Sequence, residues 1–314
     1  MRKRILAFIV MLVVPLLISV VFYKFFYSRD FKFTYNGTPR SYRLHIPGGT
    51  DPSLKMPLII ALHGLGDNPW IMEVHTGLSR LADRHQFMVV YPYGTGGLQD
   101  KYISWNAGSC CATAMVEDID DVGFINALTD NLVSRYSVDP DRIYLTGYSN
   151  GAMLVHRLAA QTPGKFAAAS VVSGSIAGAS YPTFKYYSLP SPKRPFPIIM
   201  FHGEEDQVVP FAGGENIYSL QPGLAKFSSF SDTLAYWANA NHCSLPEITK
   251  PASGVTLRNY SDCETGEAVL GYSLSNRGHI WPGSIVEGLI YGNAGRLDAG
   301  EISWEFFQKY TRKP

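Results

Sequence analysis

Residues 5–23 are uncharged and apolar, and Arg2-Lys3-Arg4 precede them. This basic-then-apolar start predicts one N-terminal hydrophobic helix. A helix needs about 20 residues to cross a bilayer, and the run just suffices. Ser19–Phe26 is bulky and offers no small-x-small cleavage site, so an uncleaved membrane anchor is expected over a cleaved signal. After it the pattern changes. Phe31–Tyr35 and Tyr42–Ile46 alternate apolar and polar around Asn36-Gly37-Thr38-Pro39, which predicts an antiparallel hairpin. Pro57–Leu62, Phe87–Pro92, Ile143–Tyr148, Phe166–Val172 and Pro197–Phe201 are nearly unbroken apolar runs, as inner strands of a parallel sheet are.

Helical spacing separates these runs. A helix is expected up to Leu81, and another over Glu117–Tyr136, with Val122, Ile125, Leu128 and Leu132 on one stripe. Leu224–Ala240 and Ile302–Tyr310 are predicted helices, and Val255–Tyr260 and Ala268–Leu274 predicted strands. Ser175–Pro195, rich in Ser, Pro and Tyr, reads as a loop insertion. Strands alternating with helices predict an α/β fold with a doubly wound, mostly parallel sheet. No repeat or linker divides the chain, so residues 1–28 are expected to form the basic and hydrophobic leader, and 29–314 a single domain.

The run Ile143–Tyr148 opens into Gly147-Tyr148-Ser149-Asn150-Gly151 and then a helix-compatible segment. Two glycines permit a sharp strand-to-helix turn that holds a serine hydroxyl above the sheet edge, at a helix N-terminus. A serine hydroxyl is a weak nucleophile until a general base takes its proton, and the base needs an acid to orient it. At turns of this kind the chain order is serine, acid, histidine.

His45, His63, His75 and His85 precede Ser149, and His156 falls in the helix after it. His202 ends a strand just before an acidic loop, and His242 sits at a helix end. His279, in Gly278-His279-Ile280-Trp281-Pro282-Gly283 after the last strand, is the candidate base. Asp206, ahead of Val208-Val209-Pro210, is the candidate acid. An oxyanion needs two backbone N–H donors. Asn150, after the serine, and Leu65, in His63-Gly64-Leu65-Gly66, are the candidates. Trp105 and Trp281 are expected to wall the substrate site, with Tyr148 beside the serine. Arg277, beside the His279 loop, could bind a substrate carboxylate or face solvent.

A net charge of +1 gives no footprint for nucleic acid. No C-x-x-C or histidine cluster suggests a metal. Four cysteines allow three pairings. Cys243–Cys263 closes a modest loop and is the expected disulfide, whereas bridging Cys110 directly to Cys111 requires a strained ring.

Six stretches then combine: Leu62–Asn68 (LHGLGDN), Trp105–Cys111 (WNAGSCC), Asp120–Ile125 (DDVGFI), Gly147–Met153 (GYSNGAM), His202–Phe211 (HGEEDQVVPF) and Gly278–Gly283 (GHIWPG). Together they resemble the polyhydroxybutyrate depolymerase-like esterases, a group that includes feruloyl and acetylxylan esterases. The resemblance runs from about residue 40 to the end. It implies an α/β-hydrolase fold, a serine carboxylester hydrolase mechanism and Ser149, Asp206 and His279 as triad, in agreement with the order of the residues. It implies no cofactor. The expected substrate is a small or oligomeric ester: a feruloyl or acetyl ester of a polysaccharide, or a hydroxyalkanoate oligomer. No polymer-binding segment follows the last motif, which favours soluble esters. An exported monomer is expected, touching a membrane only through residues 5–23. A peptidase or lipase of the same fold, or a non-catalytic binding protein, is the competing reading. Leu65 stands where many relatives carry Cys, and Arg277 where many carry Gly.

Overall fold

The computed structural model describes residues 29–51, 53–96, 102–216, 225–264, 266–292 and 297–312. The expected hydrophobic helix over 5–23 lies outside them. Among the described residues no helix is long and apolar enough to cross a membrane.

The chain opens with the hairpin β1 (Arg29–Tyr35) and β2 (Thr38–His45). Asn36 and Gly37 turn it at φ 46° and 77°, and two left-handed residues suit the twist of a two-residue hairpin loop. Strand β3 (Met56–Leu62) leads to helices α1 (Pro69–Thr76) and α2 (Leu78–His85). One helix is expected here, but Gly77 at φ 66° breaks it in two. Next come β4 (Met88–Pro92), α3 (Ala112–Val116), α4 (Asp121–Arg135) and β5 (Val138–Tyr148). Helix α5 (Asn150–Gln161), β6 (Ala168–Val172), β7 (Ala177–Ser180), β8 (Tyr187–Ser188) and β9 (Ile198–Gly203) follow. The chain continues through β10 (Gly214–Glu215), β11 (Ala225–Phe227), α6 (Phe230–Ala240), β12 (Glu247–Ala252), β13 (Val255–Tyr260) and β14 (Val269–Leu274). It closes with α7 (Ile285–Tyr291) and α8 (Ala299–Phe307).

Ten strands form one sheet in the order β1-β2-β4-β3-β5-β6-β9-β14-β13-β12. The six from β4 to β14 are mutually parallel, and antiparallel pairs finish both edges. This is the mostly parallel α/β sheet that the alternation of elements predicts. Strand β3 shows how both faces are covered. Leu58, Ile60 and Leu62 join one core with Phe124, Leu154 and Trp237, while Ile59 and Ala61 join the other with Met72, Leu81 and Trp304. Successive side chains point to opposite faces, so an unbroken apolar run serves both.

Three local readings need correction. Ser175–Pro195 is not a plain loop: β7 and β8 lie in it and join β10 and β11 in a second, antiparallel sheet ordered β10-β11-β7-β8. The helix expected from Leu224 begins at Phe230, because Ser229 and Asp232 form a reciprocal capping box there. Strand β12 has no apolar alternation to announce it, since all six of its residues are exposed at the sheet edge.

Cys243 and Cys263 are joined as expected. Cys110 and Cys111, whose direct bridge requires a strained ring, are paired with each other.

Candidate active site

Strand β5 delivers its last residues to the carboxyl edge of the sheet, and Ser149 turns the chain into α5 at φ 54° and ψ −121°. The Ser149 N–H is held by the Val172 carbonyl at 2.9 Å. Both glycines of the motif are required by close approach. A side chain on Gly151 would begin 2.2 Å from the Leu62 carbonyl oxygen, and one on Gly147 would begin 2.6 Å from the Gly151 backbone. The turn therefore sets the serine against the end of β3 as well as above β5. Ser149 itself is 8% exposed, and among the described residues its hydroxyl has no hydrogen-bond partner.

Asp206 and His279 come from loops after β9 and β14, which are neighbours in the sheet. His279 Nδ1 lies 2.7 Å from Asp206 Oδ2. Nδ1 faces a carboxylate and therefore carries the proton, which leaves Nε2 as the acceptor of the ring. Asp206 Oδ1 accepts the amides of Val208 and Val209, each at 2.9 Å. Burial alone would raise the Asp206 carboxyl, but hydrogen bonds from His202 and His279, reinforced by their charge, hold it well below the usual range.

His202 was set aside in the sequence on its position, yet its Nε2 lies 3.3 Å from Asp206 Oδ2 and 2.8 Å from the Val209 carbonyl. Two acceptors on that nitrogen fix its tautomer, and the ring becomes a second support for the acid. The available signal was its place within the buried run that forms β9, four residues before Asp206.

The loop after β3 is fixed from behind. His63 is fully buried, and burial pushes it down to about 4, so it is neutral. Its Nδ1 donates to the Gly64 carbonyl at 2.8 Å, and its Nε2 accepts the Gly94 N–H at 3.0 Å. Gly66 N–H donates to the Ile103 carbonyl at 3.0 Å. Neither the Leu65 nor the Asn150 amide has a partner among the described residues.

Ser149 and His279 open on one cavity of about 510 Å³, with Tyr148, Gly64 and Leu65 in its wall. Leu65, Met153, Val208, Val209 and Phe227 make much of the lining apolar, and Cys110 and Cys111 close one side. The Tyr148 ring lies tilted against that of His279 with centroids 4.9 Å apart, and its hydroxyl donates to the His279 carbonyl at 2.9 Å. Burial drives that phenol far above its ordinary range.

The two tryptophans are a correction. Trp105 and Trp281 are 0% and 1% exposed and do not line the cavity. Indole rings of that size fill the space beneath a loop more readily than they stand in water. Trp105 Nε1 donates to the His63 carbonyl at 2.9 Å, so it supports the site from below. Arg277 is not aimed at substrate either: its Nε donates to Glu287 Oε1 at 2.9 Å and its guanidinium lies 4.5 Å over the Tyr291 ring. Asp67, from the Leu62–Asn68 stretch, also lines the cavity.

Residues 40–189 match the family described as Esterase PHB depolymerase. Over that segment, just under half of the chain, it is similar to the esterase PHB depolymerase family. With that kinship it is a carboxylic ester hydrolase. NocK of Nocardia uniformis subsp. tsuyamanensis, named as an esterase, is 29% identical over 79% of this chain and 72% of its own length. The bifunctional acetylxylan esterase/xylanase XynS20E of Neocallimastix patriciarum is 26% identical over 77% of this chain, which spans only 31% of that protein. The acetyl xylan esterase from Aspergillus awamori superposes with a TM-score of 0.61 over 89% of this chain and 99% of that one, at 17% identity. At that identity the superposition speaks for the α/β-hydrolase fold alone.

Proposed function

We propose that the chain hydrolyses carboxylic esters through an acyl-enzyme on Ser149, with His279 as general base and Asp206 as its orienting acid. The observation that carries this reading is the 2.7 Å contact of His279 Nδ1 with Asp206, beside a serine held at a left-handed elbow over the same cavity. Nε2 of His279 takes the hydroxyl proton as Oγ attacks the ester carbonyl. The Leu65 and Asn150 amides receive the oxyanion, and what supports them is that both N–H groups are unused. His279, now protonated and stabilised by Asp206, passes the proton to the leaving alcohol. It then activates the water that cleaves the acyl-enzyme. Asp206 keeps its negative charge throughout.

The substrate class is a feruloyl or acetyl ester of a polysaccharide, or a hydroxyalkanoate oligomer. The family supports it, as does a cavity with one apolar wall. We read residues 29–314 as one esterase domain, monomeric and carried out of the cytoplasm by residues 1–28, which anchor it if uncleaved. No cofactor enters the reaction.

A fluorophosphonate probe tests the mechanism. It labels the native protein and not Ser149→Ala; folded native protein that takes up no label overturns the reading. Turnover of methyl ferulate, acetylated xylan and hydroxybutyrate oligomers, measured side by side, then ranks the substrates. Peptide cleavage without ester turnover would favour a peptidase.

A further inference from the structure

We propose that Asp67 is a specificity-determining residue: its carboxylate accepts a hydrogen bond from a hydroxyl of the substrate and repels esters that carry a carboxylate of their own. The inference rests on the esterase reading and adds a selection rule to it.

Asp67 ends the loop Gly64–Asp67, between β3 and α1, and lines the cavity with Ser149 and His279. Its position beside the serine can be fixed from Gly64. The point where a Gly64 side chain would begin lies 3.2 Å from Asp67 Oδ2, 3.2 Å from the Tyr148 ring and 3.4 Å from Ser149 Cβ. The carboxylate and the nucleophile thus flank one point.

The Asp67 carboxylate has no hydrogen-bond or ion-pair partner among the described residues. Other polar lining groups are used internally: Ser180 Oγ donates to the Ser109 carbonyl, and Asn216 Nδ2 to the Val208 carbonyl. Burial lifts the Asp67 carboxyl to about 6, with His279 opposing the rise, so it is ionised in neutral solution despite an unfavourable setting. An unpaired carboxylate against an apolar wall is destabilising until something donates to it. A substrate hydroxyl is the donor that fits a site for polyol esters.

The same charge acts against anions. Among the described residues no Lys or Arg lines the cavity, so a carboxylate-bearing ester meets Asp67 with no described lining cation except protonated His279 to offset it. A repulsive element of this kind is how a site rejects one ligand while accepting another of equal size.

The test compares two butyrate esters, glyceryl monobutyrate (neutral, two free hydroxyls) and the butyrate ester of 3-hydroxybutyrate (anionic), at about pH 8. Asp67→Asn keeps an acceptor and removes the charge. It is expected to raise kcat/KM on the anionic ester about tenfold relative to the neutral one. Asp67→Ala removes the acceptor as well and is expected to lower kcat/KM on glyceryl monobutyrate about tenfold. Equal ratios in Asp67→Asn and native enzyme, with Ser149 still labelled by fluorophosphonate, overturn the inference and leave the esterase standing. Native protein that turns over neither ester and takes no label removes the esterase reading itself. Should the variants not fold, the native enzyme decides. Raising salt from about 20 to 500 mM is expected to lift kcat/KM several-fold on the anionic ester only, and an equal response on both overturns the inference.

Discussion

Asn150 and Trp105 are hydrogen-bonded to each other twice. Asn150 Oδ1 accepts the Trp105 backbone N–H at 2.8 Å, and Asn150 Nδ2 donates to the Trp105 carbonyl at 3.1 Å. The side chain of one residue thus pairs with the backbone of another as a strand would. It ties the serine elbow to the Trp105–Cys111 loop while leaving the Asn150 amide unengaged. Replacing Asn150 by Ala leaves a buried N–H and carbonyl without these partners. The expected loss is about 2–4 kcal/mol of stability, with a fall in kcat of about tenfold or more. Asn150→Asp, which can accept but not donate, should also be destabilised. Chemical denaturation and ester turnover check both.

Asp206→Asn should leave the fold and remove the chemistry. The two amides on Oδ1 can still be accepted, but an amide nitrogen at Oδ2 would face the Nδ1–H of His279 and the Nε2–H of His202. The ring then favours the wrong tautomer for a base. A loss of about 10³–10⁴ in kcat is expected, with little change in melting temperature. Retention of a tenth of native kcat would remove Asp206 from the mechanism.

Arg277 should act on rate through His279 without touching substrate. It holds Glu287, whose other carboxylate oxygen accepts the Gly283 N–H at 2.7 Å, and its carbonyl accepts the Glu205 N–H at 2.9 Å. The loops carrying the base and the acid are therefore linked at its backbone. Arg277→Met is expected to lower kcat about three- to tenfold and stability by about 1–3 kcal/mol, with KM nearly unchanged. A rise in KM alone on anionic esters would mean that the guanidinium contacts substrate after all.

The Asp67 carboxyl also predicts a pH-dependent stability. Held at about 6 in the fold against roughly 4 when unfolded, it keeps a proton that the unfolded chain has released between those values. Stability therefore falls as pH rises from about 4 to 6, and the penalty stands in full above that range. Tyr148, His75 and His279 surround this region, and of these Asn at position 67 alters only the carboxyl. Asp67→Asn should melt a few degrees above the native protein near pH 8, by about 1–3 kcal/mol, with the gap closing toward pH 4. A gap independent of pH would assign the gain to packing.

Much of this arrangement could be read from residues in order. The apolar runs specify inner strands because each must satisfy two cores at once, and β3 does so residue by residue. The elbow was legible because Gly147 and Gly151 have physical reasons that no other side chain meets. Contacts made across the fold were less visible. Trp105 resembles a cavity wall in sequence, yet it lies beneath the loop it supports. His202 looks like a strand end, and only the return of the chain after β9 brings it to Asp206. The strands β7 and β8 are short and irregular in composition, so local pattern could not separate them from a loop.

Those small strands have a consequence for how such a protein changes. The two sheets share no hydrogen-bonded ladder among the described residues. Ser149, Asp206 and His279 follow strands of the large sheet, whereas Ser180, Ala225 and Phe227 bring the small sheet to the cavity wall. An insertion or a register slip in β7–β8 or β10–β11 would reshape the wall without passing any displacement along the ladders that align the reacting groups. Part of the wall is thus carried by backbone outside the ladders that align Ser149, Asp206 and His279, so that part can vary while the elbow stays fixed.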